Sequence, residues 1–549
     1  MRLELAGRQA TLCPVMKALF PAMLLASVCL APAATVHVQI VDNSSGTTSP
    51  AMACLTDADG HVRLPPNGRI LKAPSSTRDF YTGVDYDADP NWIGPVRKMQ
   101  GRGDNDDRSY VYEDRPSIPY WQEPVIYQVS GDFRIELPEG RYRLAVEHGM
   151  EYVPQVKTFE VRDTETQTVK VELARWIDLP ARGWWSGDVH VHHPTATQAQ
   201  RDFLLSYAQA SDLHVVNVLE MGHHQGTDFK QAGFGVNARV HRNDHWLVSG
   251  QEDPRSTFGH IIGLNLTSMV RDLSTYDFYD LTFRRIHEQP GALVGFAHLA
   301  WNGCDLPRGF PWYVTTEELD FVELLQFGQV NQLDYYDYLN LGFRLTAAAG
   351  SDTPWGSTIG EVRTYVHTGP TLDIDAWFAG LKQGHTFVSN GPVLDFTVND
   401  RLPGSELQIN PGQPVHIQAR VTSHQAIGRP IALTLNGNRG VIQEAAGDGS
   451  TTELQFTLDR TIDQSQWLVL STLCDNGALA HTTPVYVVVN GRPTWCPEQG
   501  PSIIKRQLSA IQSIANEFDA SKGTRETGIH HRLNEARQYY QELLQRMTH

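Results

Sequence analysis

The sequence predicts an α/β core set between two small β-sandwiches and followed by a helical tail, and three observations carry that reading. Residues 34–176 and 393–496 alternate apolar and polar side chains with period two. Between them, residues 177–392 alternate short apolar runs with helical stretches, the pattern of a parallel sheet or barrel. From residue 497 onward, apolar residues recur every three or four positions. A chain of 549 residues also exceeds what one hydrophobic core organises, so several domains are expected.

The chain opens on a leader, residues 1–33. Lys17 precedes an apolar run from Ala18 to Leu30 and the small-residue site Ala31-Pro32-Ala33, with Met16 as an alternative start. That run is too short to span a bilayer, so an exported protein, periplasmic or extracellular, without a transmembrane segment is expected. Of six cysteines, Cys13 and Cys29 fall in the leader. Cys474 and Cys496 lie in one β domain and are expected to bridge, while Cys54 and Cys304 read as buried thiols. The formal charge of −17, with no basic run, excludes a nucleic-acid polymer as partner.

Taking the elements in order, Val36-His-Val-Gln-Ile-Val41 and Phe133-Arg-Ile-Glu-Leu137 alternate as half-buried strands, and Pro138-Glu-Gly140 turns into Tyr142-Arg-Leu-Ala-Val146. This N-terminal sandwich carries an insertion at about 72–122, rich in Asp, Tyr and Trp, which is expected to fold against the core. In the core, helical stretches run from Gln198 to Ser211, Ser274 to Gln289 and Leu372 to Gly384. The second sandwich, immunoglobulin-like, has Asn436-Gly437 as a hairpin turn. The tail repeats Ile504, Leu508, Ile511, Ala515 and Phe518, breaks at Ser521-Lys-Gly523, and resumes with Ile529, Leu533, Ala536, Tyr540 and Leu544. Its apolar stripe docks on its own chain or forms a homodimer contact.

The chemistry concentrates in the core. In Gly187-Asp-Val-His190-Val-His192 two histidines stand two apart on a strand, hence on one side of it. Later apolar runs close on Glu252, His260, His298 and Asp352. Residues 190–298 hold 11 of the 22 histidines, too dense a cluster for background composition. Imidazoles and carboxylates without a thiolate fit Zn, Mn or Fe and exclude a Cys-type structural zinc site. His223 and His224, in Glu220-Met-Gly-His-His, and Arg255 are candidate catalytic or substrate-facing groups, set against the plainer reading of Arg255 as a solvated ion pair. The run Asp85-x-Asp87-x-Asp89 fails as a calcium loop because Pro90 and Val96 occupy its glycine and glutamate positions. Neither a Gly-x-Ser-x-Gly elbow nor a Walker loop occurs.

Taken jointly and in order, these motifs resemble those of the PHP (polymerase and histidinol phosphatase) metallohydrolases, above all the CehA/McbA-like branch named for carbaryl hydrolases. Leu137-Pro-Glu-Gly140, Gly149-Met-Glu-Tyr152 and Ser389-Asn-Gly-Pro392 extend the resemblance over roughly residues 36–490. It implies a distorted (β/α)7 barrel flanked by the two sandwiches. It also implies one ion on His190, His192, Glu252 and Asp352 and a second on Glu252, His260 and His298. Pro354 stands where three-metal members carry a histidine, and Gln198 where they carry another ligand, so two divalent ions are expected. The function implied is water activation for attack on a small-molecule phosphoester or a carboxyl or carbamate ester. The alternative is a non-catalytic cell-surface or glycan-binding protein built on a degenerate barrel.

Overall fold

The computed structural model describes residues 33–66, 68–72, 119–121, 123, 126–162, 166–300, 307–355 and 358–548. The expected leader up to residue 32, the insertion over 73–118 and Cys304 lie outside the described residues. Among the described residues no helix is long and apolar enough to cross a membrane.

The N-terminal domain packs two sheets. Ala33–Asp42 is flanked by Asp132–Pro138, antiparallel, and Gln167–Leu173, parallel. Its alternate residues Val36, Val38 and Ile40 are buried, as the period-two pattern requires. They meet a five-stranded antiparallel sheet that includes Ala51–Asp57 and Gly140–Glu147. The same apolar core takes in Phe203, Leu204 and Tyr207 of helix α1, Gln198–Ala210, which fixes the central domain against this sandwich.

The central strands are β1 (Trp184–Val191), β2 (Val215–His223), β3 (His245–Ser256), β4 (Gly259–Leu264), β5 (Leu293–Phe296), β6 (Phe321–Gln326), β7 (Thr346–Ala349), β8 (Arg363–His367) and β9 (Thr386–Ser389). Helices α2 (Tyr279–His287), α3 (Gln332–Asn340) and α4 (Ile374–Gln383) lie among them. The expected (β/α)7 barrel is not what forms. The ladders β1–β2, β2–β3, β5–β6 and β6–β7 are parallel. By contrast β3–β4, β4–β5, β8–β9 and β8–β1 are antiparallel, the second and third despite an intervening helix. β9 also pairs with Leu479–Thr482, so the closed sheet runs on into the C-terminal domain across the boundary expected at 392. Among the described residues strand outweighs helix by 41% to 23%. The physical reason is that apolar runs report strand length and burial but carry no information on strand direction, and alternation with helices alone does not impose parallel crossovers.

The C-terminal sandwich sets Val393–Val398, Gln413–Thr422 and Glu453–Ile462 against Pro430–Gly437, Gln466–Cys474 and Val485–Val489, with Ile417, Leu435, Leu470 and Val487 in the core. Gly437 pairs with Gly440, which places the hairpin turn at Asn438-Arg439, two residues beyond the expected Asn436-Gly437. The Asn438 side chain is held instead by the Thr494 and Trp495 carbonyls. Cys474 and Cys496 are both buried and not bonded to each other, contrary to the expected bridge. Cys474 ends a strand, whereas Cys496 starts the approach to the tail with its Sγ 3.4 Å from Glu498 Oε2.

The tail forms α5 (Gly500–Glu517) and α6 (Thr524–Thr548), broken at Ala520–Lys522 as expected. Ile504, Ile511, Leu533 and Tyr540 join one core with Phe310, Tyr313 and Tyr338 of the central domain. The Tyr540 hydroxyl donates to the Pro311 carbonyl at 2.8 Å, and Arg532 pairs with Asp280 at 2.6 Å. The stripe is covered by its own chain, which removes the ground for a homodimer contact there.

Candidate metal centre

All eight residues of β1 are buried, and the strand delivers His190 and His192, both at 0% exposure, to one side. Asp188 anchors this end: its carboxylate accepts from the backbone N–H groups of His190, Ser351 and Gly360 at 2.9–3.0 Å. Burial pushes its pKa up to about 6. Glu252 comes from β3, where the ladder to β4 slips between Glu252 and Arg255, an irregularity that turns Glu252 and His260 toward one point. His298 follows β5 and Asp352 follows β7, with φ of 64° and 52°. Non-glycine residues rarely adopt this left-handed region, and two such positions in one cluster mark a site held in place by its surroundings.

The donor atoms fall into two groups that share His190. His190, His192 and Asp352 form one; His190, Glu252 and His298 form the other; within each, the ligand atoms lie within 4.8 Å of one another. Glu252 Oε1 is 3.5 Å from His190 Nε2, 3.2 Å from His298 Nε2 and 2.8 Å from His260 Nδ1, and Oε2 is 3.3 Å from His192 Nε2. Asp352 Oδ1 lies 3.3 and 3.4 Å from the Nε2 atoms of His190 and His192. The structure thus brings together all six residues expected as ligands, with Glu252 central.

Whether a cation fits here is decided by the ring tautomers. His190 Nδ1 donates to Glu323 Oε1 at 2.8 Å and His192 Nδ1 to the Leu219 carbonyl at 3.1 Å. In the neutral form, the one that can bind a cation, both rings therefore carry their lone pair on Nε2. Those two Nε2 atoms face each other at 3.0 Å. His298 Nδ1 donates to Gln326 Oε1 at 2.9 Å, so its Nε2 lone pair points at His260 Nδ1, 2.9 Å away. With neutral rings, lone pairs and carboxylates converge with too few hydrogens between them, and Glu252 Oε2 is buried without a hydrogen bond among the described residues despite lying 2.6 Å from Arg255 Nε. Either protons or cations must lie between such atoms. An all-N/O set with fixed outer nitrogens suits divalent Zn, Mn or Fe.

The electrostatics agree. Burial opposes charge on His190, but Glu323, Asp352 and Glu252 outweigh it and hold its pKa well above the usual histidine range. For His298 burial is likewise overcome, by Glu252, Asp352 and Glu323. Burial opposes ionisation of Glu252, yet Arg255, His260 and His190 hold it well below the usual range. His260 is pushed down to about 4, chiefly by burial.

The three catalytic candidates separate. Arg255 reaches the cluster through Glu252 and lies 3.4 Å from His260 Nδ1. His223 does not join the donor groups: its Nδ1 faces Gln225 Oε1 at 3.0 Å, and its Nε2 is 3.5 Å from Asp228. His224 is exposed and packs on the Tyr276 ring at 4.7 Å, beside the Tyr276 hydroxyl that accepts the Arg255 backbone N–H. Sequence reasoning missed Glu323 and Gln326, which hold His190 and His298. The available signal was one acid inside the apolar run Phe321-Val-Glu323-Leu-Leu. It also missed Phe229 and Trp355, half-buried rings that pack on His192 at 5.3 Å each.

No family model matches this chain, and no curated protein matches it. Solved structures give only distant likenesses. PsfC from Pseudomonas syringae PB-5123 is 15% identical, with 36% of this chain and 88% of that chain covered and a TM-score of 0.25. BcpA, the major pilin subunit of Bacillus cereus, is 6% identical over 83% of this chain and 69% of its own, with a TM-score of 0.24. The fibronectin(III)-like modules of Clostridium thermocellum CbhA are 12% identical over 18% of this chain and 98% of theirs, at 0.13. At these scores the likenesses assign neither a fold nor an activity.

Proposed function

We propose that the protein is an exported metal-dependent hydrolase that activates water at a two-ion centre for attack on an ester-type bond, a phosphoester or a carboxyl or carbamate ester. One observation carries the reading: two buried three-donor groups share His190 around Glu252, with the Nε2 atoms of His190 and His192 only 3.0 Å apart. The motif resemblance to PHP metallohydrolases supports it through the ligand residues, not through the barrel that family would bring.

When bound, divalent ions supply Lewis acidity that lowers the pKa of water and stabilises negative charge developing on the attacked group. His190, His192 and Asp352 would hold one ion and His260 and His298 the other, with Glu252 between them. Glu323, Gln326 and the Leu219 carbonyl fix which ring nitrogen points inward. Arg255, partly exposed beside Glu252, is placed to hold an anionic substrate group, and His224 lies alongside it. Phe229 and Trp355 offer an apolar wall at His192.

The test is elemental analysis of the purified protein, followed by a panel of p-nitrophenyl phosphates, phosphodiesters, carboxyl esters and carbamates with and without chelator. Two ions per chain and chelator-sensitive cleavage of at least one class are expected. Three tightly held ions would contradict the two-ion centre. A fully loaded protein that cleaves none of the panel would favour the non-catalytic binding reading.

A further inference from the structure

We propose that Glu323 is the positioning residue that couples the two halves of the metal centre; the proposal rests on the metal-centre reading above. Glu323 lies on β6 at 0% exposure. β6 runs between β5 and β7, the two strands whose ends deliver His298 and Asp352. Each oxygen serves a different half. Oε1 accepts from His190 Nδ1 at 2.8 Å, which sets the ring so that Nε2 faces His192 and Asp352. Oε2 accepts the His298 backbone N–H at 2.8 Å and Gln326 Nε2 at 3.3 Å. The first of these bonds holds His298 in its left-handed backbone, and the second orients the amide whose Oε1 accepts from His298 Nδ1.

All three of these neighbours are donors. A carboxylate satisfies them; an amide of the same shape would turn its own N–H groups on at least one of them. A carboxylate with no exposure is costly unless hydrogen-bond donors surround it, and here both halves of the centre present N–H groups to it. Glu323 therefore does more than orient a single ligand: losing its charge loosens His190 in one group and His298 in the other together.

The experiment compares full-length wild type, Glu323→Gln and Gln326→Met with zinc as probe, by chelator competition after dialysis. It adds the cobalt(II) absorption spectrum and the unfolding midpoint of each metal-free protein. Glu323→Gln is expected to weaken zinc at both ions, by about 10- to 100-fold, and to alter both cobalt environments, while the metal-free protein still unfolds in one cooperative transition at a lowered midpoint. Gln326→Met, which removes one donor from Glu323 Oε2 but leaves the Glu323 Oε1–His190 hydrogen bond in place, is expected to weaken one ion only. Wild-type zinc affinity in Glu323→Gln, or loss confined to one ion, overturns the coupling role. If Glu323→Gln does not fold, Glu323→Asp, which keeps the charge but withdraws it, is read by the same criteria. Wild type that takes up no zinc overturns the metal centre itself, an outcome distinct from a loaded wild type matched by a loaded variant.

Discussion

A Cβ added to Gly350 would stand 2.3 Å from Glu323 Oε1 and 2.4 Å from the His190 Cβ, so the loop after β7 runs directly against the floor of the metal centre. No flexible end of a side chain is there to yield: one neighbour is a hydrogen-bonded carboxylate and the other the root of a buried histidine. Gly350→Ala is expected to cost about 1–3 kcal/mol through overpacking and to displace Asp352, two residues on. A lowered unfolding midpoint together with reduced zinc content checks this. Wild-type values of both would show that the loop has room the geometry denies.

His190 belongs to both donor groups and Asp352 to one. With Nδ1 bonded to Glu323, His190 has one Nε2 lone pair and serves one ion, so His190→Ala and Asp352→Ala should each strip one ion and leave Glu252, His260 and His298 for the second. Both variants should lose hydrolysis yet keep the near-UV circular dichroism of the wild type, because ligands at strand ends add little to the apolar cores of the central sheet. Elemental analysis of the two proteins decides it; two ions retained in either variant would remove that residue from the ligands of the first ion.

The ligands were legible because their pattern is local. His190 and His192 stand two apart at the end of a buried strand, Glu252, His298 and Asp352 close or follow an apolar run, and His260 opens one. Glu323 was not, since its partners His190 and His298 lie 133 and 25 residues away and meet it only through strand order. Strand direction was hidden for the same reason. Gly259–Leu264 reads identically whether it runs with or against Leu293–Phe296, and it runs against. The disulfide expectation failed because sharing a domain brings Cys474 and Cys496 no closer than their strand and loop allow.

Arg255 lies within reach of Glu252 and His260 but is not a donor for a cation. Arg255→Gln should leave bound metal at or above wild type, because it removes a positive charge from beside Glu252. On anionic phosphomonoesters KM should rise about 10- to 100-fold, the worth of a charge-assisted hydrogen bond of about 1.5–3 kcal/mol. Neutral carboxyl or carbamate esters should be affected little. An equal loss on charged and neutral substrates would reject the anchoring role.

Glu147 ends the strand Gly140–Glu147 at 1% exposure, and neither carboxyl oxygen has a hydrogen-bond partner among the described residues. Burial raises its pKa from 4.5 to about 8, with Arg363 offsetting only part of the effect. Below pH 4.5 folded and unfolded chains both hold the proton, and stability is at its full value. As pH rises from 4.5 toward 8 the unfolded chain releases the proton while the folded one keeps it, so stability falls by about 1.4 kcal/mol per unit. Above pH 8 both states are ionised and the loss stops growing, at roughly 3 to 5 kcal/mol. Glu147→Gln has the same shape, does not titrate, and lies outside the metal cluster. The difference in unfolding midpoint between variant and wild type should therefore be small at pH 4, widen in favour of the variant through neutral pH, and level off above pH 8. Thermal melts across that range in metal-free buffer measure it. A difference that stays flat with pH would mean that Glu147 is already ionised in the folded protein, with a partner for its charge.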